Sequence, residues 1–315
     1  MKNISLNSSN AIKGIAALCV ILHHISQNLS NPYFLYIFQW FGTLSVSIFF
    51  FFSGYGISYQ FYNKKNYLDS FWKRRLSKIL IPFFLSNIIF ILYNVIVNDA
   101  NYSINDILIF TTGIKLINGY AWYIIVILWL YIGFWVSYKF IKNQYLQLSI
   151  LSLFIFIYIG WCILNHLSTF VSIFSFPLGI LYVQNINKIK IKYPVLLIAT
   201  LFITFSFLLY EASLMVHINN LKNVVICIVE CLCFSSLIVL IIGKYEIKNK
   251  ILIFFGSVSL EIYLIQGLFL KLVLEKSEIL SVIIIIPLTI LSGYLFKSLN
   301  KKIEDILILK NSKNY

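Results

Sequence analysis

Apolar runs of roughly the length of a membrane span recur along almost the entire chain. A helix that crosses the hydrocarbon core needs about 20 consecutive apolar residues, so each run predicts one spanning helix. We therefore predict an all-α, polytopic membrane bundle in which the whole chain, residues 1–315, forms one integral membrane domain. About ten spans are predicted, near residues 11–29, 36–62, 76–97, 121–140, 145–164, 168–184, 193–210, 222–243, 251–272 and 279–298.

The basic residues lie mainly at alternate connections between these runs. With a cytoplasmic N-terminus, all but four of the 25 lysines and arginines fall on the cytoplasmic side. Cytoplasmic loops of membrane proteins carry such an excess of positive charge. The pattern thus predicts that both termini are cytoplasmic. The four exceptions are Lys115, Lys222, Lys271 and Lys276.

Composition agrees with this prediction and narrows the choice of partners. Hydrophobic residues make up 60% of the chain and charged residues 11%, which is unlike a soluble domain. The net charge of +14 by itself would suit nucleic acid. Because the basic residues follow the predicted topology, we attribute that charge to membrane orientation, expect membrane lipids as partners and predict no nucleic-acid partner.

The first apolar run contains Lys13 and His24, residue types that membrane helices normally exclude. Ionisable groups at membrane depth are costly and usually mark function. Eleven residues separate the two, so on a helix they lie within about 20° of one face and about 16 Å apart along the axis. His23 points about 100° away from His24. This stack suits a long ligand with an anionic head and a reactive tail.

A basic segment precedes the third span. Arg74 and Arg75 are the only arginines of the chain, and guanidinium offers a planar fork for phosphate oxygens that ammonium lacks. Arg75 and Lys78 are three residues apart, so on a helix both can hold one anion. We predict that this cluster binds the phosphates of a ligand. Binding of lipid headgroups is the alternative.

The second span contains Ser53, Gly54, Tyr55 and Gly56. The two glycines would allow another helix to approach closely, and Ser53 can form hydrogen bonds between helices. Close packing alone is the alternative to a binding role for this segment.

The ninth span contains Glu261, a carboxyl that is costly in a membrane unless it is paired, protonated or facing water. Tyr263 and Gln266 could share its polar face. Trp122 lies at the outer end of the fourth span, where anchoring in the aromatic belt is the alternative to ligand binding. The four histidines and the scattered acids show no metal-ligand spacing, so no metal is predicted.

These segments, in this order, resemble acyltransferase family 3, the integral membrane O-acyltransferases that modify bacterial surface sugars. The resemblance rests on four motifs: Lys13 and His24 for the R/K-x10-H pattern, residues 50–55 for the phenylalanine-rich S-G-F motif, residues 74–82 for the R-x-x-R segment before a proline, and residues 259–266 for S-x-E-x-Y-L-x-H. Two positions depart from the family pattern. Lys78 stands where the second arginine is usual, and Gln266 stands where a late histidine is often seen.

The resemblance implies transfer of an acyl group, most often acetyl from acetyl-CoA, in the bacterial cytoplasmic membrane. The implied acceptor is a sugar hydroxyl of an envelope polysaccharide or of its lipid-linked precursor. Coenzyme A would bind through its phosphates to Lys13, Arg74, Arg75 and Lys78. The remaining site residues would be His24 and Glu261 as catalytic groups, and Ser53, Tyr55, Trp122, Tyr263 and Gln266 in substrate binding.

Two roles stay open for the catalytic groups. His24 would act as a general base on the acceptor hydroxyl or would itself accept the acyl group. Glu261 would orient the imidazole or position the acceptor.

A transporter or flippase for a polysaccharide or a lipid-linked sugar is the alternative function. Such proteins typically place paired discontinuous helices in two related halves, and the sequence shows no internal repeat. A purely structural membrane protein would leave the stack of Lys13 and His24 unexplained.

Overall fold

The computed structural model describes residues 3–186, 194–213, 221–274 and 277–312, and all regular structure within them is helical. The α-helices are α1 (Leu6–Gln27), α2 (Phe41–Asn63), α3 (Phe71–Val97), α4 (Ile104–Thr112), α5 (Trp122–Phe140), α6 (Gln144–Leu164), α7 (Ser175–Asn185), α8 (Pro194–Ser213), α9 (Leu221–Ile242), α10 (Lys250–Ser257), α11 (Ser259–Phe269) and α12 (Glu278–Ser312). Short 3-10 helices occupy Phe34–Trp40, Gly119–Ala121 and Leu270–Leu272.

Seven helices of the described ranges are long and apolar enough to cross a membrane. The number rises to eight if α10 and α11, which are separated at Val258, count as one span. The predicted fold class is confirmed, and the chain is a multi-pass membrane protein. The predicted positions of the termini stay a prediction.

One of the ten predicted spans is not matched by a full-length spanning helix. In the predicted span 168–184, the helix α7 has only 11 residues, which is about 16 Å of helix against a hydrocarbon core of about 30 Å. The predicted span 193–210 coincides with α8, a helix of 20 residues.

The predicted outer connection, residues 98–120, contains the helix α4. Ser103 caps this helix: its hydroxyl accepts a hydrogen bond from the Asp106 backbone N–H at 3.2 Å, and the Asp106 carboxylate accepts one from the Ser103 N–H at 3.0 Å. These bonds stabilise the charged carboxylate and lower the pKa of Asp106. The helix ends at Gly113, whose φ of 77° is the left-handed conformation that glycine adopts readily.

The helices form two compact units that alternate along the sequence. The first unit comprises Met1–Val20, Trp40–Tyr67 and Trp129–Gly256, and the second comprises Ile21–Gln39, Leu68–Leu128 and Ser257–Tyr315. The helix α1 therefore contributes its N-terminal part to the first unit and its C-terminal part to the second.

In the first unit, α2 and α7 approach closely at two glycines. A Cβ atom on Gly54 would lie 2.0 Å from the Phe176 carbonyl oxygen, and one on Gly179 would lie 2.2 Å from the Phe51 carbonyl oxygen. Each glycine thus faces the backbone of the opposite helix, as small residues do in membrane helix pairs. The predicted close approach is confirmed at Gly54. It is wrong at Gly56, because nothing lies within 4 Å of a Cβ there.

Buried hydroxyl groups link the helices α2, α7 and α9 in the first unit. The hydroxyl oxygens of Ser47 on α2 and Ser235 on α9 are 2.8 Å apart, and those of Ser175 on α7 and Ser235 are 3.2 Å apart. All three side chains are fully buried. The chain of hydroxyls satisfies polar groups that would otherwise be costly inside a membrane.

In the second unit, α11 packs against both α3 and α12. A Cβ on Gly267 would lie 3.1 Å from the Phe90 ring of α3, and one on Gly293 of α12 would lie 2.9 Å from the Ile262 side chain. The first residue of α12 also anchors the segment after α1: the Glu278 carboxylate accepts hydrogen bonds from the backbone N–H groups of Tyr33 and Leu35. The second unit is therefore organised around α11.

We expect Gly54→Ala to lower the thermal stability of the purified protein in detergent. The added Cβ would meet a backbone oxygen that cannot rotate away, and such overpacking costs about 1–3 kcal/mol. The matched control, Gly56→Ala, should leave stability unchanged or raise it by up to about 1 kcal/mol, because alanine is the better helix former. Equal melting temperatures for the two variants would contradict the close crossing of α2 and α7.

Candidate active site

The helix α1 carries two of the predicted site residues on one uninterrupted run from Leu6 to Gln27. The continuity confirms that Lys13 and His24 share a helix and, by its periodicity, lie on nearly the same face about 16 Å apart along the axis. Both side chains are half-buried. Lys13 belongs to the first unit and His24 to the second.

The imidazole of His24 is held at the last turn of α1. Its Nδ1 lies 3.2 Å from the side-chain oxygen of Gln27. In the neutral tautomer whose Nδ1–H donates to this oxygen, Nε2 carries the lone pair. The neutral side chain therefore has a basic nitrogen, Nε2, that is suited to removing a proton from a hydroxyl.

His23 has a different environment, as its predicted orientation requires. Its Nδ1 lies 3.1 Å from the Phe38 carbonyl oxygen, to which it donates in the neutral ring. That bond ties α1 to the 3-10 segment Phe34–Trp40. The contact gives His23 a structural role in holding this segment.

The turn at Gly119–Ala121 packs on the His24 ring. The ring centroids of His24 and Tyr120 are 4.3 Å apart and the planes are inclined by 55°. Asn28 stabilises this arrangement, because its amide nitrogen donates to the His24 carbonyl at 2.7 Å and lies 3.5 Å from the Tyr120 hydroxyl. The end of α1 and the turn thus form one wall of the candidate site.

The helix α11 is joined to the same turn. The Tyr263 hydroxyl donates to the Tyr120 carbonyl and accepts from the Tyr123 N–H at 3.3 Å. The Asn118 amide donates to the Leu264 carbonyl at 2.9 Å. The structure therefore brings Tyr263, a predicted substrate-binding residue, next to the turn that contacts His24.

Trp122 and Gln266 lie next to these contacts in the sequence. Trp122 is half-buried and begins α5 directly after the turn. Gln266 precedes Gly267, and a Cβ on Gly267 would lie 3.0 Å from the Tyr120 ring. The Gln266 side chain is fully buried. Their roles in substrate binding stay predictions.

Glu261 lies at the break between α10 and α11. Its side chain is 8% exposed and belongs to the first turn of α11, where its carboxylate accepts from its own backbone N–H. Lys297 of α12 donates to the Ser257 carbonyl at the end of α10, and both Lys297 and Asn300 face the Glu261 carboxyl. Helix ends leave backbone groups without helical partners. Here Lys297 meets the carbonyl end of α10, and Glu261 lies at the N–H end of α11. A positive charge at the first place and a negative charge at the second are what the helix dipoles favour.

These contacts favour a positioning role for Glu261. Gly267 is the residue of α11 that meets the Tyr120 ring. Glu261 precedes it by six residues, so on the helix it lies about 9 Å earlier along the axis and points about 120° away. Its electrostatic interactions within the described residues are with α12, whereas the His24 ring bonds to Gln27. A direct contact of Glu261 with the imidazole stays a hypothesis.

The predicted phosphate site lies at the start of α3. Arg74 and Lys78 are exposed and Arg75 is half-buried. Beside them the Ser77 hydroxyl donates to the Glu304 carboxylate of α12 at 3.1 Å. Lys301, which is exposed, precedes Glu304 by three residues and so lies on the same face of α12 as this contact.

Sequence reasoning did not include Lys301 in the site. It assigned this lysine only to membrane orientation. The last predicted span ends at residue 298, and the sequence did not reveal which helix lies opposite α3.

Two predicted substrate-binding residues, Ser53 and Tyr55, belong to the first unit. The Tyr55 hydroxyl accepts a hydrogen bond from the Ile4 N–H at 3.0 Å, and its ring stacks on Phe51 with centroids 6.3 Å apart. Tyr55 therefore has a structural role near the chain start. Ser53 is half-buried. Binding of substrate by either residue stays a prediction.

Comparison with known proteins identifies one family. A family model described as an acyltransferase domain, that of acyltransferase family 3, matches residues 6–298. No curated protein and no solved structure matches the chain. The matched range includes every predicted site residue and confirms the resemblance drawn from the four motifs.

We expect His24→Ala to reduce acyl transfer by about 10²–10⁴-fold, the usual contribution of a general base, without loss of membrane insertion. His23→Ala is the matched control and should retain most of the activity, because it removes the contacts with the 3-10 segment and the neighbouring ring but leaves the imidazole of His24 in place. Activity is measured in membranes containing equal amounts of each protein. Equal losses in the two variants would contradict the assignment of His24 as the base.

We expect Glu261→Gln to lower both thermal stability and turnover while the affinity for acetyl-CoA changes little. The amide keeps the size of the side chain but removes the negative charge that faces Lys297, so the favourable charge interaction between the two groups is lost. Combining it with Lys297→Met should cost less than the sum of the single changes, because the two groups interact. Strictly additive melting-temperature losses would contradict the pairing.

Proposed function

The chain belongs to acyltransferase family 3, and from this premise we propose that it is a membrane O-acyltransferase. It moves an acyl group, most simply acetyl from acetyl-CoA, to a sugar hydroxyl of a cell-envelope polysaccharide or its lipid-linked precursor. The observation that carries the proposal is the placement of His24 at the last turn of α1, with its ring against Tyr120 and its Nδ1 3.2 Å from the Gln27 side-chain oxygen. A neutral imidazole at that place offers a ring nitrogen that can act as a base at neutral pH.

The proposed transfer step balances without a metal or an oxidant. Nε2 of His24 removes the proton of the acceptor hydroxyl, and the hydroxyl oxygen attacks the thioester carbonyl carbon. A carbon–oxygen bond forms, the carbon–sulfur bond breaks, and the thiolate of coenzyme A takes the proton back from the imidazolium. The alternative in which His24 itself carries the acyl group uses the same nitrogen in two successive transfers.

The donor is proposed to bind by its phosphates at the start of α3. Arg74, Arg75 and Lys78 supply positive charge there, and guanidinium groups suit phosphate oxygens in a bidentate manner. Lys13 lies on the same helix as His24, about 16 Å before it along the axis. That length suits a donor whose anionic head and thioester are far apart.

Acceptor recognition is proposed for the wall that surrounds His24. Tyr263 and Trp122 lie beside the turn that contacts the imidazole, and aromatic side chains with polar groups suit a sugar. Ser53, Tyr55 and Gln266 complete the predicted substrate-binding set. Glu261 is proposed to position α11, and through it Tyr263.

One observation favours the alternative of transport. The break at Val258 makes α10 and α11 a discontinuous span, a feature that transporters use for binding at mid-membrane. Transport predicts a corresponding pair in a second, related half. The described residues contain one such pair, and its two ends are satisfied by Lys297 and Glu261.

Mass spectrometry of the surface polysaccharide, with and without this protein, tests the proposal. We expect loss of one acyl ester while the amount of exported polymer is unchanged, and we expect His24→Ala to reproduce that loss. Loss of exported polymer with the ester intact on the remainder would support the transporter and overturn the enzyme.

A further inference from the structure

The hydroxyl group of Tyr120 carries a proton that no described residue accepts. The ring of Tyr120 packs against the imidazole of His24, with centroids 4.3 Å apart. The Asn28 amide nitrogen, which donates to the His24 carbonyl at 2.7 Å, lies 3.5 Å from the Tyr120 hydroxyl oxygen. An amide nitrogen only donates, so this contact uses the phenol oxygen as an acceptor. The O–H donor therefore stays available beside the candidate base.

The backbone of Tyr120 is held on both sides. Its N–H donates to the Asn118 side-chain oxygen at 3.1 Å, and its carbonyl accepts the hydrogen bond from the Tyr263 hydroxyl. Asn118 is itself buried, and its amide nitrogen donates to the Leu264 carbonyl of α11 at 2.9 Å. These bonds fix the turn, while the Tyr120 side chain is half-buried. A donor held in this way is preorganised, because it loses little freedom when a ligand binds.

The Tyr120 hydroxyl does not occupy the base. The planes of the Tyr120 and His24 rings are inclined by 55°, and the hydrogen-bonding partner of the His24 ring among the described residues is Gln27. A phenol that donated to the imidazole would hold the lone pair that a base needs. The two side chains thus offer different chemistry at one place: a lone pair that can take a proton, and an O–H group that can stabilise a negatively charged oxygen.

We propose that the Tyr120 hydroxyl is a catalytic group that donates a hydrogen bond to the carbonyl oxygen of the thioester. This inference rests on the proposed function. When the acceptor oxygen attacks the carbonyl carbon, one electron pair of the carbonyl double bond moves to the carbonyl oxygen, which becomes an oxyanion. The phenol stabilises this charge and keeps its own proton. The double bond forms again as the carbon–sulfur bond breaks.

The direction of charge movement favours the thioester carbonyl over the attacking hydroxyl as the partner of Tyr120. The attacking oxygen gives its proton to His24 and needs its electron pair for the new bond, so a hydrogen bond donated to it would slow the attack. The carbonyl oxygen gains negative charge, so a donor there stabilises the transition state. The argument also holds if His24 first carries the acyl group, because each transfer forms an oxyanion on the same carbonyl.

Tyr120→Phe tests the proposal, because it removes the hydroxyl and keeps the ring that packs on His24. The assay uses purified full-length protein in detergent with acetyl-CoA as the donor. The acceptor is the surface polysaccharide purified from cells that lack this protein. We expect kcat to fall by about 10²–10³-fold, the usual cost of one lost oxyanion donor, while the KM for acetyl-CoA and the melting temperature stay at the parent values.

Tyr93→Phe is the matched control. Tyr93 on α3 is also a half-buried tyrosine of the second unit. The Lys271 ammonium lies 4.6 Å from the centre of its ring, and phenylalanine keeps that ring. We therefore expect kcat, KM and melting temperature to equal those of the parent.

Hydrolysis of acetyl-CoA by the same proteins, measured without polysaccharide, separates the two partners that the Tyr120 hydroxyl could have. Water then attacks the same carbonyl, so we expect Tyr120→Phe to slow hydrolysis by the same factor as transfer. Full hydrolysis together with a raised KM for the polysaccharide would assign the hydroxyl to a sugar and overturn the inference, as would an unchanged kcat for transfer. Failure of the parent to transfer acetyl from acetyl-CoA would instead overturn the proposed function.

Discussion

The constraint on which this structure depends is that polar groups inside a membrane must find partners within the protein. The break at Val258 would expose carbonyl groups on one side and N–H groups on the other. Lys297 of α12 donates to the carbonyl end of α10, and Glu261 of α11 accepts from its own N–H on the other side of the break. Because the break is satisfied, α11 can turn Tyr263 towards Tyr120, and Tyr120 can pack on His24. The geometry around the candidate base thus follows from how a helix interruption is stabilised.

Much of the fold was predictable because membrane helices have a strong sequence signal. The apolar runs predicted an all-α, multi-pass protein, and the spacing of Lys13 and His24 predicted their common face, since both depend only on helix periodicity. The failure concerns span length. Residues 168–184 are mainly apolar, but the regular helix there, α7, begins only at Ser175; hydropathy measures composition and does not show where a helix begins.

The site was predictable only in part, because periodicity assigns a residue to a face and does not name its neighbour. Glu261 was expected to orient the imidazole or to position the acceptor, and both roles stay predictions; its interaction with Lys297 of α12 was not foreseen. Gly56 was expected at a helix crossing that only Gly54 occupies. Lys301 carries no motif of its own. Its relevance appears only when α3 is seen against α12, which no pattern within one segment could reveal.

The position of His24 at the very end of α1 has a further consequence. Gln27, whose side-chain oxygen lies beside Nδ1, and Asn28, whose amide donates to the His24 carbonyl, belong to the last turn or follow it directly. Helix ends are where winding and unwinding are least costly. If that single turn unwinds, the His24 ring loses these two neighbours and its packing against Tyr120. The orientation of the imidazole is therefore only as stable as the final turn of α1.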